Sequence, residues 1–532
     1  MAFTSVEFIC FLAVTVLLYY LIPKRTQWPL LLLASYIFYF LAGGWYLPFI
    51  ATTTVSSYFA AVIMSRSSEK EKNYIESNRD NMSKDERKTY KGVQKKKRFR
   101  ILVAALILNF GILGVLKYTG FTLSNINSLI GFFGGQDKIS VPSLILPLGI
   151  SFYTFQTMGY LIDVYRNTTT AEKNIFRLAL FVSFFPQLVQ GPISRHSELA
   201  SQLYEKHTAS WSVIAPGALR VCWGYFKKLV IADTLMVAIK AIVESPAEHE
   251  GMYVVYLIIM YSAEIYADFT GGIDITIGVA QMLGIRVTEN FNRPFSSKST
   301  KEYWRRWHIT MGSWFSDYVF YPVSICKPMQ KLSKFSRAKL GAAVGKRIPV
   351  YLATILTWFL TGLWHGAGWN FIVWGLLNCL IILVSQELQP LYDRFNNKHK
   401  ALADSRGWEV FCQVRTFLLM GIIRILDCYR DVPLTFKMFG TVFYSFSSWR
   451  DLFNGSLSDL GVSLSQYAVV IVAIIIVWAV SRKTEEGALF GEKLCSRPLL
   501  FSFCAAGLIA ATLIFGSYGI GYDASQFIYS QF

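Results

Sequence analysis

Apolar residues run through this chain in long blocks set apart by short polar stretches. Blocks near 6–22, 29–45 and 47–64 follow in quick succession, separated by PKRTQ (Pro23–Gln27) and by the uncharged GGWYLP (Gly43–Pro48). Each approaches the roughly 20 residues that an α-helix needs to cross a hydrocarbon core. A fourth block covers 101–118, and residues 119–142, which carry Gly and Asn, read as an outer loop. Later blocks lie at Tyr253–Ile285, Val350–Trp364, 371–387, 411–426, 465–481 and 499–516. The pattern predicts an all-α polytopic membrane protein with about 10–12 transmembrane or embedded helices.

Charge gives these blocks a direction. No basic residue precedes the first block, and Lys24 and Arg25 follow it. A cleavable signal needs a positive start and a small-residue cleavage site, so the block reads as a retained span with its N-terminus outside. Residues 65–100 are rich in Lys, Arg and Glu and end in QKKKRFR. Odd-numbered crossings put PKRTQ and this loop on the same side, as expected of cytoplasmic loops. The loop itself reads as solvated, partly disordered or helical.

The middle of the chain is less regular. From Val141 it reads VPSLILPLGISFYTFQTMGYLIDVYR, with Phe152, Phe155 and Tyr160 on one helix face. FVSFFPQLVQGPISRHSEL (Phe181–Leu199) has prolines and a glycine that interrupt any single helix. Broken helices at membrane depth are tolerated where they are buried in protein or line a cavity, so this region reads as a tunnel wall. His196, between Arg195 and Ser197, is expected at the surface. CWGYFKK (Cys222–Lys228) suits a helix at the cytoplasmic interface. Glu264 and Asp268 are four residues apart on one helix face, with Asp274 beyond, so one of them needs a proton or a partner. Arg286 and Arg293 are candidate partners, and the bland alternative is a structural network bracing a helix broken at Gly271 and Gly272.

Composition agrees with the pattern. The 532 residues are 53% hydrophobic and 16% charged, with a mean hydropathy of +0.38. The net charge of +18 sits in loops beside apolar blocks, the membrane pattern rather than a nucleic-acid footprint. The eight cysteines are scattered, with no C-x-x-C and no metal-site spacing. No G-x-S-x-G and no phosphate-loop lysine appears, which leaves serine-hydrolase chemistry and ATP-driven transport unsupported.

Only six histidines occur, and two of them, His308 and His365, lie in strongly apolar stretches. An ionisable group placed in apolar membrane surroundings marks a functional site by default. YWRRWHITMGSWFSDY (Tyr303–Tyr318) reads as one amphipathic helix. Trp304, Trp307, Met311, Trp314, Phe315 and Tyr318 share its apolar face, and His308 sits at the margin. LTGLWHGAGWNFIVWG (Leu360–Gly375) places His365 among Gly362, Gly366 and Gly368, which let a helix or a substrate approach closely. A neutral imidazole there can take a hydroxyl proton as the oxygen attacks a thioester carbonyl. The alternatives are a locally hydrogen-bonded His308 and a His365 that ties helices together.

Several segments together resemble the membrane-bound O-acyltransferase family, in its bacterial alginate-O-acetylase branch. They are LPLGISFYTFQTMGYLIDVYR (Leu146–Arg166), QGPISR (Gln190–Arg195), YADFTGGIDITIGVAQMLGIRVTENFNRPF (Tyr266–Phe295), YWRRWHIT, TGLWHGAGWNFIVWG and the terminal FIYSQF. The resemblance implies a ring of helices around a thinned centre, with a tunnel joining a cytoplasmic donor side to an outer acceptor side. Residues 1–118 would be N-terminal spans, 119–426 the catalytic core and 427–532 a C-terminal region with two more spans. It implies His365 as catalytic base and His308 as the second essential group. No bound cofactor is implied; acetyl-CoA or another acyl thioester is the donor substrate. The acceptor is an exported polysaccharide or an extracytoplasmic acyltransferase partner, and the location is a bacterial plasma membrane. Arg305 and Arg306 are candidates for the donor phosphates. Trp304, Trp307, Trp364, Asp317 and Asp268 are candidates to line the tunnel. One departure stands out: after DYVFYP the branch carries a short glycine-rich turn, whereas this chain has a basic insert over 323–347. D-alanyl transfer to teichoic acid is a rival within the same chemistry. A transporter or flippase with a histidine proton relay is a rival from another class.

Overall fold

The computed structural model describes residues 2–136, 138–483 and 491–519; the terminal FIYSQF lies outside them. Among the described residues the regular structure is all helical, with no strand and one isolated backbone bridge, Phe291 to Trp307. Seven helical stretches among the described residues are long and apolar enough to cross a membrane, at 24–77, 84–132, 252–282, 327–365, 369–387, 464–482 and 498–515. The shorter apolar helix Val6–Leu21 joins them. The expectation of an all-α polytopic membrane protein holds. Two compact units divide the chain: residues 1–214 with 279–287, and residues 215–278 with 288–532.

The first unit contains α1 (Val6–Leu21), α2 (Gln27–Gly43), α3 (Leu47–Ser77), α4 (Lys84–Phe132), α5 (Ile150–Arg166), α6 (Ile175–Ser183) and α7 (His196–Tyr204). Of the forms expected for it, the basic stretch 65–100 takes the helical one. α3 runs on to Ser77, and α4 begins at Lys84 behind a capping box in which Ser83 and Glu86 satisfy each other's backbone N–H. Arg98 pairs with Glu71 at 2.6 Å and Tyr74 stacks on Tyr90, so the two extensions hold together. α4 also continues to Phe132, through residues expected to be outer loop. Helix propensity and these pairings extend both helices beyond their apolar blocks.

The interrupted middle is buried, as backbone outside a regular helix must be at membrane depth. α6 stops at Ser183, a single turn follows at Phe185–Leu188, and Gln187 donates to Pro192 O and Ser194 Oγ. Gly149 has φ +68°, and a Cβ there would meet Leu188 O at 2.0 Å, so this turn requires glycine. His196 is not a surface residue. Its ring packs against Tyr160 at 4.5 Å and Phe181 at 4.9 Å, because α7 folds back over α5 and α6. The polar neighbours in sequence concealed that packing.

The second unit contains α8 (from within Trp211–Tyr225), a π-helical turn Phe226–Ala232, α9 (Asp233–Glu244) and α10 (Met252–Met282, up to Gly278). Further on come α11 (Thr300–Arg306), α12 (Ile309–Phe315), α13 (Lys327–His365), α14 (Trp369–Glu387), α15 (Arg406–Tyr429), α16 (Leu464–Lys483) and α17 (Pro498–Phe515). α8 and α10 approach so closely that a Cβ on Gly224 would meet Gly271 O at 2.5 Å, and one on Gly278 would meet Gly217 O at 2.7 Å. This contact buries charge. Lys228 pairs with Asp268 at 2.5 Å and Asp233 at 2.8 Å. Lys227 pairs with Asp274 at 2.5 Å, and Arg220 bridges Asp274 at 2.9 Å and Glu289 at 2.6 Å. Lys227 and Lys228 are therefore core residues, not interfacial ones, and Lys228 is the counter-charge that Asp268 requires. Asp268 and Asp274 are thus held in the anticipated structural network by Lys227 and Lys228 of the π-helical turn and Arg220 of α8. The helix expected to break at Gly271 and Gly272, however, runs through both without interruption. Glu264 is buried on it, with its Oε2 lacking a hydrogen-bond partner among the described residues. The basic insert forms the start of α13, which folds back at Gly341 (φ +81°) so that Gly345 lies against the backbone of Arg337.

Burial pushes the His196 imidazole down to about 4 from its usual 6.5. The folded state thus resists a proton that the unfolded chain accepts. The stability it contributes is intact above about 6.5 and is lost as pH falls toward about 4. His196→Phe keeps the ring and removes the titration. Thermal unfolding in detergent from pH 7 to pH 4 should show a shallower decline for the variant than for the wild type; parallel curves would count against this burial.

Candidate active site

The expected single helix across Trp304–Tyr318 does not form. α11 starts behind Ser299, whose side chain accepts from Glu302 N at 3.2 Å, and it stops at Arg306. Trp307 is extended, and His308 takes the left-handed conformation (φ +49°, ψ +54°) before α12 begins. Neither Gly nor Pro marks the break. Its cause is tertiary: residues 290–292 run antiparallel beside it, with Asn292 N donating to Arg306 O at 2.9 Å and Ile309 N to Asn290 O at 3.0 Å. A π-helical turn over Ser316–Phe320 follows α12 and carries the half-buried Asp317.

His308 is fully buried at this break. Phe269 of α10 packs edge-on against its ring at 4.9 Å, and the Trp364 indole lies 5.8 Å away. Nδ1 lies 3.3 Å from Asn290 Oδ1. His308 sits between short helices, outside the seven long apolar ones. Its imidazole is held well below the usual histidine range, first by burial and then by the nearby His365. The two rings thus sense each other's charge, and the site disfavours two protons at once.

His365 arrives from the other direction, as the last residue of α13. α13 and α14 form a tight hairpin whose packing depends on glycine. A Cβ on Gly362 would meet Phe371 O at 2.4 Å, and one on Gly375 would meet Trp358 O at 2.4 Å. Bare backbone at both positions brings the helices together. The His365 ring lies 5.0 Å from Trp364 and 4.7 Å from Trp374, so both histidines pack against Trp364.

An aromatic layer supports the pair. Trp304 packs against Trp358 at 4.9 Å and Trp374 at 5.6 Å, and its Nε1 donates to Asn378 Oδ1 at 3.2 Å. Trp307 stacks on Tyr303, with the Arg424 guanidinium 4.6 Å from its ring centroid. Arg424 also donates to Tyr303 Oη. A cation held against an indole in buried surroundings contributes up to about 2 kcal/mol. Trp304, Trp307 and Trp364 thus join His308 and His365 in one cluster. Asp268 belongs instead to the ion network around Lys228. Arg306 pairs with Glu302 at 2.7 Å and reaches Asn292 O at 3.4 Å, while Arg305 is exposed. Asn290, Trp374 and Arg424 were not singled out in the sequence. For Arg424 a signal existed, since it is the one charged residue in FLLMGIIRIL (Phe417–Leu426). For Asn290 none did.

Two neighbouring imidazoles in an apolar setting, one of them set against protonation by its surroundings, suit removal of a proton from a weakly acidic hydroxyl. The family model for "MBOAT, membrane-bound O-acyltransferase family" matches residues 169–428. A probable alginate O-acetylase of Azotobacter vinelandii is 31% identical over 481 residues, covering 89% of this chain and 84% of that protein. A peptidoglycan O-acetyltransferase of Helicobacter pylori is 30% identical over 424 residues, 74% of this chain and 72% of its own length. A teichoic acid D-alanyltransferase of Bacillus subtilis is 27% identical over 279 residues, 52% of this chain and 67% of its own length. The chain belongs to the membrane-bound O-acyltransferase family. It is a multi-pass membrane enzyme, an acyltransferase, and these relatives are bacterial.

The hairpin is testable apart from chemistry. Gly362→Ala places a methyl against backbone that cannot swing aside, so the variant should lose about 1–3 kcal/mol of stability. A clear drop in the detergent melting temperature is the expected reading, and a wild-type value would contradict the close approach.

Proposed function

We propose that this enzyme moves an acetyl group from a cytosolic thioester, acetyl-CoA or an acyl-carrier thioester, across the membrane to O-acetylate an exported cell-surface polysaccharide. An extracytoplasmic acyltransferase partner completes the transfer. The observation that carries this reading is that His308 and His365, from separate parts of the chain, both pack against Trp364. The alginate and peptidoglycan acetylases among the relatives support acetyl as the group and a glycan as the acceptor.

In this reading His365 accepts the proton of the attacking hydroxyl as its oxygen bonds to the thioester carbonyl carbon. The tetrahedral adduct collapses, the carbon–sulfur bond breaks, and the proton passes to the departing thiolate. His308 is the second required group. The tryptophans exclude water, which would otherwise take the acyl group. The exposed Arg305 suits the donor's phosphates better than Arg306, whose charge is already matched by Glu302.

His365→Ala and His308→Ala, expressed in cells that lack the native enzyme, should insert normally and leave the surface glycan unacetylated. Retained O-acetylation in either variant would sink its assignment. Arg305→Ala should raise the KM for acetyl-CoA about 3–10-fold with little change in kcat, the mark of a uniform binding contact. An unchanged KM would remove Arg305 from the donor site. D-alanylation in place of acetylation would redirect the reading to the teichoic acid branch.

A further inference from the structure

The pairing of His308 with Asn290 carries more than packing. α12 has His308 at its N-cap, yet the histidine side chain makes no capping bond there. Asn290 caps the helix from the neighbouring segment: its Oδ1 accepts from Thr310 N at 3.0 Å and from Thr310 Oγ1 at 2.9 Å. A backbone N–H can only donate, so the Asn290 atom at this point is the amide oxygen, not its nitrogen. The same oxygen lies 3.3 Å from His308 Nδ1. Since an amide oxygen only accepts, that ring nitrogen must carry the hydrogen. The lone pair of the neutral imidazole is then on Nε2.

The backbone closes the same clamp. Asn290 O accepts from Ile309 N at 3.0 Å, and Phe291 bridges Trp307. These bonds hold His308 in a left-handed conformation that costs a non-glycine residue about 1–2 kcal/mol. Strain of this kind persists where surrounding structure over-determines it, and it clusters at active sites. Asn290 itself is fully buried, and its Nδ2 has no hydrogen-bond partner among the described residues. Burying that N–H without a partner costs about 1–3 kcal/mol. A residue kept only to cap a helix would not require an amide: Asp would accept the same three donors and bury no such N–H. What Asn adds is neutrality beside His308.

We infer that Asn290 is a positioning residue for the acyl-transfer site: its amide oxygen fixes His308 as the Nδ1–H tautomer and directs Nε2 toward proton transfer, and its lack of charge keeps the imidazole easy to deprotonate. The inference rests on the proposed reaction for its kinetic consequence but not for its structural one. From α13 the titratable group acting on His308 is His365. α10 presents Phe269, and the 290–292 segment presents Asn290.

The test uses the purified full chain in detergent, with ¹⁴C-acetyl-CoA as donor, together with ¹⁵N NMR of histidine-labelled protein. The His308 signal is assigned by its loss in His308→Gln. In the wild type that signal should show a protonated Nδ1 and an unprotonated Nε2. Asn290→Ala should lose the tautomer preference and about 100-fold in kcat, with the KM for donor within about twofold of wild type. Asn290→Asp retains the acceptor oxygen, so it should recover tautomer and at least about tenfold of the lost kcat relative to Asn290→Ala. Its negative charge should also move the acid limb of the pH–rate profile upward by about one unit or more. A wild-type spectrum with Nε2–H would overturn the inference whatever the activity. So would an Asn290→Ala enzyme within about threefold of wild type, or an Asn290→Asp enzyme with an unmoved acid limb. Wild type inactive with acetyl-CoA but showing the Nδ1–H spectrum would instead count against the donor assignment and leave the tautomer assignment supported.

Discussion

The site depends on a reversal of backbone direction at a residue that resists it. His308 stands in the left-handed region between two seven-residue helices. The segment Asn290–Asn292 holds it there through main-chain bonds on both sides and one side-chain acceptor. Without that segment, Tyr303–Tyr318 has every local reason to be one helix, with its histidine at the edge of an apolar stripe. With it, the helix opens at Trp307, and the imidazole is turned inward among Phe269 and Trp364. Placement of the first histidine is therefore a long-range effect.

The second histidine is placed by a different device. α13 and α14 meet at Gly362 and Gly375, where neither helix tolerates a Cβ, and that contact sets where α13 ends and where His365 projects. Elsewhere in the same unit, Gly224 and Gly278 bring α8 against α10, and the ion network of Lys227, Lys228 and Arg220 with Asp268, Asp274 and Glu289 fixes their register. Breaking one partner of such a pair leaves a buried charge uncompensated, which costs about 3–5 kcal/mol. α10 in turn carries Phe269, one residue after Asp268, to the face of His308. Register and site geometry are thus linked through a single helix.

Much of this was legible in the sequence because it is local. Apolar blocks located the long helices but not their ends, since α3, α4 and α13 run well beyond their blocks. The glycines around His365 announced a close approach before any neighbour was known. The two apolar histidines and their tryptophans were legible as a group. What stayed hidden was pairing across the chain. Lys227 and Lys228 look interfacial until Asp268 and Asp274 are seen opposite them. His196 looks solvated until α7 lays it against Tyr160 and Phe181. Asn290 looks like an ordinary loop residue until its oxygen is found at Thr310 and His308. Local periodicity also extended the helix through His308, since no glycine or proline marks that break.

Proton transfer by the histidine pair is the step on which acyl transfer depends, and labelled thioester turnover measures it most directly. Purified wild-type protein and His365→Ala are each given acetyl-CoA labelled in the acetyl group, and free CoA and the fate of the label are followed over time. CoA should be released, and the label should leave the thioester, only with the wild type. Equal release by the two proteins would contradict that dependence.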